Sequence, residues 1–175
     1  MEFKELINRR ISMRSYESAI PHNDLAEILK EAQRAPSWKN MQAYKCYAVE
    51  SPEFLEEFRQ AVLPPFNLKN STNASLVVTT YIKDVTGFID GKPVDDIGNG
   101  WAMYDLGIHD AFLVLAASNA GYDTLIMALR DEKKIRELLS IPENEVIMSV
   151  IAVGKRAKDP NLRPRKEFDE VNKFF

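Results

Sequence analysis

Helix-period and strand-period hydrophobic segments alternate along the chain. Phe3, Leu6 and Ile7 share one side of a short helix over Phe3 to Arg9. Leu25, Ile28, Leu29 and Ala32 recur every three or four residues behind Asn23, a side chain suited to an N-cap, and predict a helix to about Ala35. Pro36 stops it, because proline disfavours the helical state in the residue before it. Tyr44 to Glu50 predicts a strand. Ser51 and Pro52 then open a helix through about Val62, with proline at the first helical position. Ser75 to Ile82, rich in Val and Thr, predicts a buried strand. Lys83 to Gly100 has no clear period and predicts a surface excursion. Trp101 to Ala120 is apolar around most of its circumference, the pattern of a helix buried in a core or a subunit interface, and Gly121 is its C-cap. Tyr122 to Ala128 predicts a strand, Asp131 to Leu139 a helix, and Val146 to Val153 a strand. From Lys155 onward two prolines and the lack of a period predict an extended arm.

Together these give a mixed α/β arrangement of about four strands and five helices with no second core. The chain of 175 residues and 20.0 kDa fits one domain, 1–175. With 45% hydrophobic and 28% charged residues, it is not a disordered chain. Its longest uninterrupted apolar run, Ala111 to Ala117, is far short of the roughly 20 residues a membrane-spanning helix needs. Met1 to Glu5 lacks the pattern of a secretory signal, and the lone Cys46 excludes an internal disulfide. A cytoplasmic protein without membrane attachment is expected.

Charge changes the picture by position. The net charge of −3 argues against a general nucleic-acid binder. Yet residues 1–14 carry Lys4, Arg9, Arg10 and Arg14 against Glu2 and Glu5, and residues 155–166 carry Lys155, Arg156, Lys158, Arg163, Arg165 and Lys166 against Asp159. Two basic clusters at opposite ends of an acidic chain read either as a site for a small anion or as solvated terminal charge.

Familiar catalytic patterns are missing. His22 and His109 lie in no metal-ligand spacing and read as a loop residue and a helix residue; no metal is expected. Cys46 reads as a small core residue. Neither a Gly-x-Gly-x-x-Gly fingerprint, a P-loop nor a Gly-x-Ser-x-Gly elbow occurs. An enzyme of this kind needs a bound cofactor to supply reactivity. In Arg10-Ile11-Ser12-Met13-Arg14, alternation along an extended backbone puts Arg10, Ser12 and Arg14 on one side, a set suited to a phosphate or a polar ring edge. Ala35-Pro36-Ser37-Trp38-Lys39-Asn40-Met41-Gln42 is a polar turn that reads alone as a capping turn or as a ligand loop.

In order and spacing these two segments resemble the opening of the FMN-dependent nitroreductase family. The resemblance continues through Phe66-Asn67, Ala74 to Val78, Asp105 at the head of the long helix, Ile141-Pro142-Glu143, Val150 to Gly154 and Arg163-Pro164-Arg165-Lys166. It implies an α/β (α+β) fold with a central mixed, mainly antiparallel sheet of four to five strands flanked by helices, in an intertwined homodimer with FMN in clefts between subunits. Arg10, Ser12 and Arg14 then grip the FMN phosphate and the polar edge of the flavin, Arg14 giving electrostatic support near N1 and O2. Ile11 stands where many members carry a basic residue and contributes its backbone. Pro36, Ser37, Trp38 and Asn40 reach the FMN of the other subunit, with Gln42 supporting their loop. Asn67 faces the pyrimidine part of the ring. The backbone of Met127, Ala128 and Leu129 lies near N5, in a stretch where many relatives carry Gly and this chain has none. Arg163 and Arg165 close on the phosphate. The activity implied is hydride transfer from NAD(P)H through N5 to nitroaromatic, quinone or similar acceptors by a ping-pong cycle, no side chain acting as nucleophile. Residues 83–101 form a short lid and 155–175 a C-terminal arm. A non-catalytic FMN-binding sensor or carrier is the alternative reading.

Overall fold

The computed structural model describes residues 2–160 and 162–175. In chain order its elements are α1 (Phe3–Arg9), β1 (Tyr16–Ala19), α2 (His22–Ala32), a 3-10 turn (Trp38–Asn40), β2 (Tyr44–Val49), α3 (Pro52–Val62), α4 (Pro65–Asn70) and β3 (Ser75–Ile82). They continue with β4 (Phe88–Ile89), β5 (Lys92–Pro93), α5 (Gly100–Asn119), β6 (Asp123–Met127), α6 (Glu132–Leu139), β7 (Glu145–Arg156) and α7 (Phe168–Val171).

The long strand β7 organises the sheet. It pairs antiparallel with β3, β6 and β1, and β3 pairs antiparallel with β2. The pairings of the five-stranded sheet are thus antiparallel, and beside them Ser12 makes an isolated parallel bridge to Thr124 of β6. Period-two alternation sorts the strand residues between two cores. Leu76, Val78, Val150 and Ala152 face Phe58 and Val62 of α3 and Ile135 of α6. Val77, Ile151 and Val153 face Leu25, Ile28 and Ala32 of α2 and Leu113 and Ala117 of α5. Each such aliphatic side chain, fully buried, contributes about 1.5–3 kcal/mol.

Several element ends differ from the sequence reading. Helix α2 begins at His22, so His22 is helical rather than in a loop, and Pro21, not Asn23, is the N-cap. Pro21 is extended (φ −61°, ψ 146°) and its carbonyl accepts from Leu25, closing the first turn. The helix ends at Ala32, and the Arg34 and Ala35 N–H groups continue in tighter turns, donating to the Glu31 and Ala32 carbonyls three residues back. Strand β7 extends three residues past Val153 because Asp123 receives a forked pair of bonds from Arg156, Nε at 2.8 Å and Nη2 at 2.6 Å. The surface excursion is an ordered hairpin of β4 and β5. It is fastened by Trp101 Nε1 donating to the Asp95 carboxylate and by Asp84 and Asn99 bonding each other. Helix α5 is buried along one side only: Met103, Tyr104 and Phe112 are exposed.

Gly154 sits where β7 pairs with Asp123 on one flank and Ala19 on the other. A Cβ there would lie 2.6 Å from the Ser18 carbonyl oxygen and 3.1 Å from the Tyr16 ring. Because the obstacle is backbone, Gly154→Ala is expected to destabilise the fold by about 1–3 kcal/mol. Urea denaturation with an unchanged midpoint would refute the close packing.

Candidate functional site

The segment from Arg10 to Ser15 leaves α1 in an extended path. The Met13 N–H donates to the Thr124 carbonyl at 2.9 Å, which lays the segment along β6. Its side chains alternate: Met13 is buried in the core, while Ser12 and Arg14 are exposed. The pinned backbone thus delivers Arg10, Ser12 and Arg14 to one side.

On that side lie two cavities with common walls. One, of about 380 Å³, is lined by Arg10, Ile11, Ser12, Arg14, Arg163 and Arg165, together with α1 residues and Leu162. The other, of about 710 Å³, shares Ser12, Arg14 and Arg163 and adds Phe66, Lys69, Asn70, Asn73 and Lys158 among its walls. The structure therefore brings together both ends of the chain. Four guanidinium groups, permanently charged and fork-shaped, around a small cleft form a donor set that fits a phosphate monoester. A wider neighbouring cleft with an exposed phenyl ring, Phe66, fits a flat heterocycle.

Other expected residues are placed differently. Asn67 lines neither cavity; it is 6% exposed and its amide donates to the Leu129 carbonyl at 2.8 Å. Met127 is a buried core side chain, Ala128 and Leu129 are exposed, and Leu129 borders a third cavity of about 450 Å³ with Val62, Leu63 and Arg130. Asn70, which the sequence reading omitted, borders the larger cavity with a buried amide nitrogen that has no partner among the described residues. Its signal was present in the sequence, since it follows Asn67 by three residues on α4 and so shares its side of the helix.

The Pro36 to Gln42 loop lines neither basic cavity. Lys39, Asn40 and Gln42 hold positive φ values of 48°, 56° and 48°, a conformation that costs non-glycine residues of order 1 kcal/mol each. Three contacts hold it there. Asp105 Oδ2 accepts from the Trp38 N–H at 2.9 Å, Ser37 Oγ accepts from the Gln42 N–H at 3.0 Å, and the Gln42 side chain donates to the Asn40 carbonyl. Gln42 supports its loop by these bonds. The Lys39 ammonium lies 4.5 Å from the Trp38 ring centre.

Away from this region, the Cys46 sulfur lies 3.9 Å from His109 Nε2, and His109 in turn faces Asp110. Burial, with the Asp110 charge adding to it, pushes the thiol up to about 12. No thiolate is available for nucleophilic chemistry near neutral pH. No group of His, Cys, Asp and Glu among the described residues has the arrangement to hold a metal ion, and no helix among them is long and apolar enough to cross a membrane.

The family model described as Nitroreductase family matches residues 7–155. The chain belongs to the Nitroreductase family, and so to a class of oxidoreductases. A solved nitroreductase family protein from Clostridium novyi NT is 31% identical, with a TM-score of 0.74 over 97% of this chain and 91% of that one. An Exiguobacterium sibiricum 255-15 structure in complex with FMN shares the fold at a TM-score of 0.87 and 19% identity, over 100% and 98% of the two chains. Among curated relatives, an NADPH-dependent oxidoreductase of Staphylococcus aureus (strain MRSA252) is 26% identical, covering 95% of this chain and 70% of its own.

Two outcomes are expected. Asp105→Ala leaves the Trp38 N–H without its charged acceptor, costs about 1.5–3 kcal/mol and speeds proteolytic nicking between residues 38 and 42. An unchanged nicking rate would remove Asp105 as the anchor. Cys46 reacts with a thiol reagent at pH 8 on the order of a thousandfold more slowly in the native protein than in urea. Comparable rates would show the thiol to be open. The unfolded thiol ionises at its ordinary value while the native one stays protonated, so this group lowers stability as pH rises above about 8.5.

Proposed function

We propose that the basic double cavity is the FMN site of an NAD(P)H-dependent oxidoreductase that reduces nitroaromatic, quinone or similar flat acceptors. FMN is the cofactor and NAD(P)H the electron donor. When bound, the flavin would supply hydride-accepting and hydride-donating chemistry at N5. NAD(P)H departs before the acceptor enters, a ping-pong order. The observation that carries this reading is the convergence of Arg10, Ser12 and Arg14 with Arg163 and Arg165 on one cleft.

The chain's own groups have separate tasks. Arg10, Arg163 and Arg165 neutralise the phosphate by charged hydrogen bonds. Arg14, at the wall common to both cavities, places positive charge beside N1 and O2, where negative charge develops on reduction. Ser12 and the Ile11 backbone complete the phosphate end. The chain works as one FMN-binding domain, 1–175. A second copy covers the exposed Met103, Tyr104 and Phe112 of α5 and brings its own Pro36, Ser37, Trp38 and Asn40 to the flavin. That placement accounts for a strained, anchored loop lying outside the cavities of its own chain. The hairpin at 83–101 serves as a short lid, the C-terminal arm 155–175 closes over the phosphate end, and the enzyme works in the cytoplasm.

Purified protein is expected to be yellow and to bleach at the flavin band when mixed anaerobically with NADH or NADPH, the colour returning with an acceptor. Retained flavin that neither nicotinamide bleaches would convert the reading to a non-catalytic flavin carrier. Protein that stays colourless after incubation with FMN would end it. Arg14→Ala is expected to weaken FMN binding by roughly 1.5–3 kcal/mol, about ten- to a hundredfold, or to lower the flavin potential. Equilibrium dialysis and potentiometry unchanged from the parent protein would take that role from Arg14.

A further inference from the structure

The two joined cavities carry more positive charge than one phosphate needs. Arg10, Arg14, Arg163 and Arg165 line the smaller, and Lys69 and Lys158 join Arg14 and Arg163 around the larger. Among the described residues, the one carboxylate on either lining is Asp159, fully exposed and 4.0 Å from Arg156. A phosphate monoester brings about two negative charges near neutral pH, which the four arginines already exceed. The lysines have no counterpart in that group. No ion pair engages either ammonium among the described residues, whereas the neighbouring Lys155 pairs with Glu17 at 3.5 Å.

The wall that carries Lys69 is built and fixed. Phe66 and Lys69, three residues apart on α4, share its cavity side. Beside them Asn70 is 9% exposed, and its amide nitrogen has no partner among the described residues. A buried donor left unpaired in a cavity wall points to a ligand acceptor in that cavity. Asn73, at a φ of 65°, donates its amide to the Tyr16 carbonyl at 3.3 Å, which ties the end of the α4 wall to the opposite wall. Arg59, 6% exposed, holds the Ser71 carbonyl at 3.1 Å from behind.

We infer that Lys69 and Lys158 form a second anion subsite at the ring end of the cleft, which selects co-substrates bearing an extra phosphate or carboxylate over their neutral counterparts. This rests on the FMN reading above, in which the ring lies in the wider cleft and its reaction partner stacks there. Such an anion has two sources. NADPH bears a 2′-phosphate that NADH lacks, and an aromatic acceptor can bear a carboxylate on its ring. The choice of cation fits the task. A forked guanidinium suits a group that stays, whereas an ammonium on a flexible stem suits one that arrives and leaves with each turnover.

The test uses FMN-loaded parent protein, Lys69→Gln, Lys158→Gln, the double variant, and Lys30→Gln as a remote control, with flavin occupancy matched by absorbance. Calorimetry measures binding of NADP⁺ and of NAD⁺, and stopped-flow absorbance measures bleaching by NADPH and by NADH. A third arm follows reoxidation of dithionite-reduced protein by 4-nitrobenzoate and by 4-nitrobenzyl alcohol, with no nicotinamide present. The parent is expected to favour the anionic member of a pair about tenfold or more, and each lysine variant to lose about three- to tenfold of that preference. Lys30→Gln retains it. A preference among the nicotinamides assigns the anion to the 2′-phosphate, and one for nitrobenzoate assigns it to the acceptor; either supports the subsite. If the double variant does not fold, the single variants decide. A parent that treats every pair alike overturns the inference. So does a preference that the lysine variants keep, or one that Lys30→Gln also loses, because overall charge would then be responsible. Parent protein that fails to bind FMN overturns the reading beneath, whereas a parent that binds FMN and bleaches without regard to charge overturns only the subsite.

Discussion

One backbone hydrogen bond, from the Met13 N–H to the Thr124 carbonyl, fixes the basic end of the site. It converts the exit of α1 into a rider on β6, and strand-like alternation along that rider sends Met13 into the core while Ser12 and Arg14 face outward. The strand it rides on is itself held by Asp123, buried at the start of β6 and gripped by both arms of Arg156. The same Arg156 ends β7, beyond which the chain departs toward Arg163 and Arg165. This partly buried ion pair ties β6, on which Arg14's segment rides, to the end of β7, from which the chain runs on toward arginines that the sequence separates from Arg10 and Arg14 by some 150 positions. Such pairs add little net stability, but breaking one leaves a buried charge uncompensated and costs several kcal/mol, which makes the geometry difficult to lose.

Segments with long, regular periods were legible in the sequence. β3 was bounded residue for residue, and α3, α5 and β6 within one or two, because each buries a continuous stripe against the sheet. The missed elements lack that signal. β1 buries one residue of four, and it forms because β7 offers it a partner edge. α4 opens with consecutive prolines, which punctuate a pattern while being sterically suited to a first helical turn. His22 looked like a loop residue because proline precedes it, yet Pro21 serves as the cap. At the site, the basic cluster was readable because charge at both chain ends needs a common place to go. The bonds by which Asn67 holds the Leu129 carbonyl and Arg130 those of Ala128 and Ile147 were not readable, because a carbonyl leaves no mark in a sequence.

A chain of buried polar groups links the sheet to the Pro36 loop. Ser149 on β7 and Thr79 on β3 share a hydrogen bond of 2.9 Å, and Thr79 also donates to Asp110 on α5. Tyr44 packs its ring against His109 beside that aspartate, with centroids 4.1 Å apart. These bonds fix the rotation and height of α5 on the sheet, and Asp105, slightly more than one turn earlier on the same helix, accepts from Trp38. The loop's left-handed residues are therefore referenced to the sheet through helix α5 rather than to the flexible chain on either side. Networks of this kind specify one arrangement when every member is satisfied, and the members here are.

Two ends of one site are thus built on different principles. The phosphate end takes its charge from exposed side chains on extended segments, Arg163 and Arg165 among them, which tolerate small shifts because Coulomb attraction falls slowly with distance. The ring end, in the proposed reading, is the wider cleft, with Phe66 exposed on its wall and Arg14 on the wall it shares with the phosphate end. Hydrogen-bond energy falls steeply with distance and angle, so that end needs rigidity where the other needs only charge. Retention of the cofactor then rests on the outer arginines, and tuning of its reactivity on Arg14 at the common wall. A substitution at Arg10, Arg163 or Arg165 then acts chiefly on retention, and one at Arg14 acts on reactivity as well.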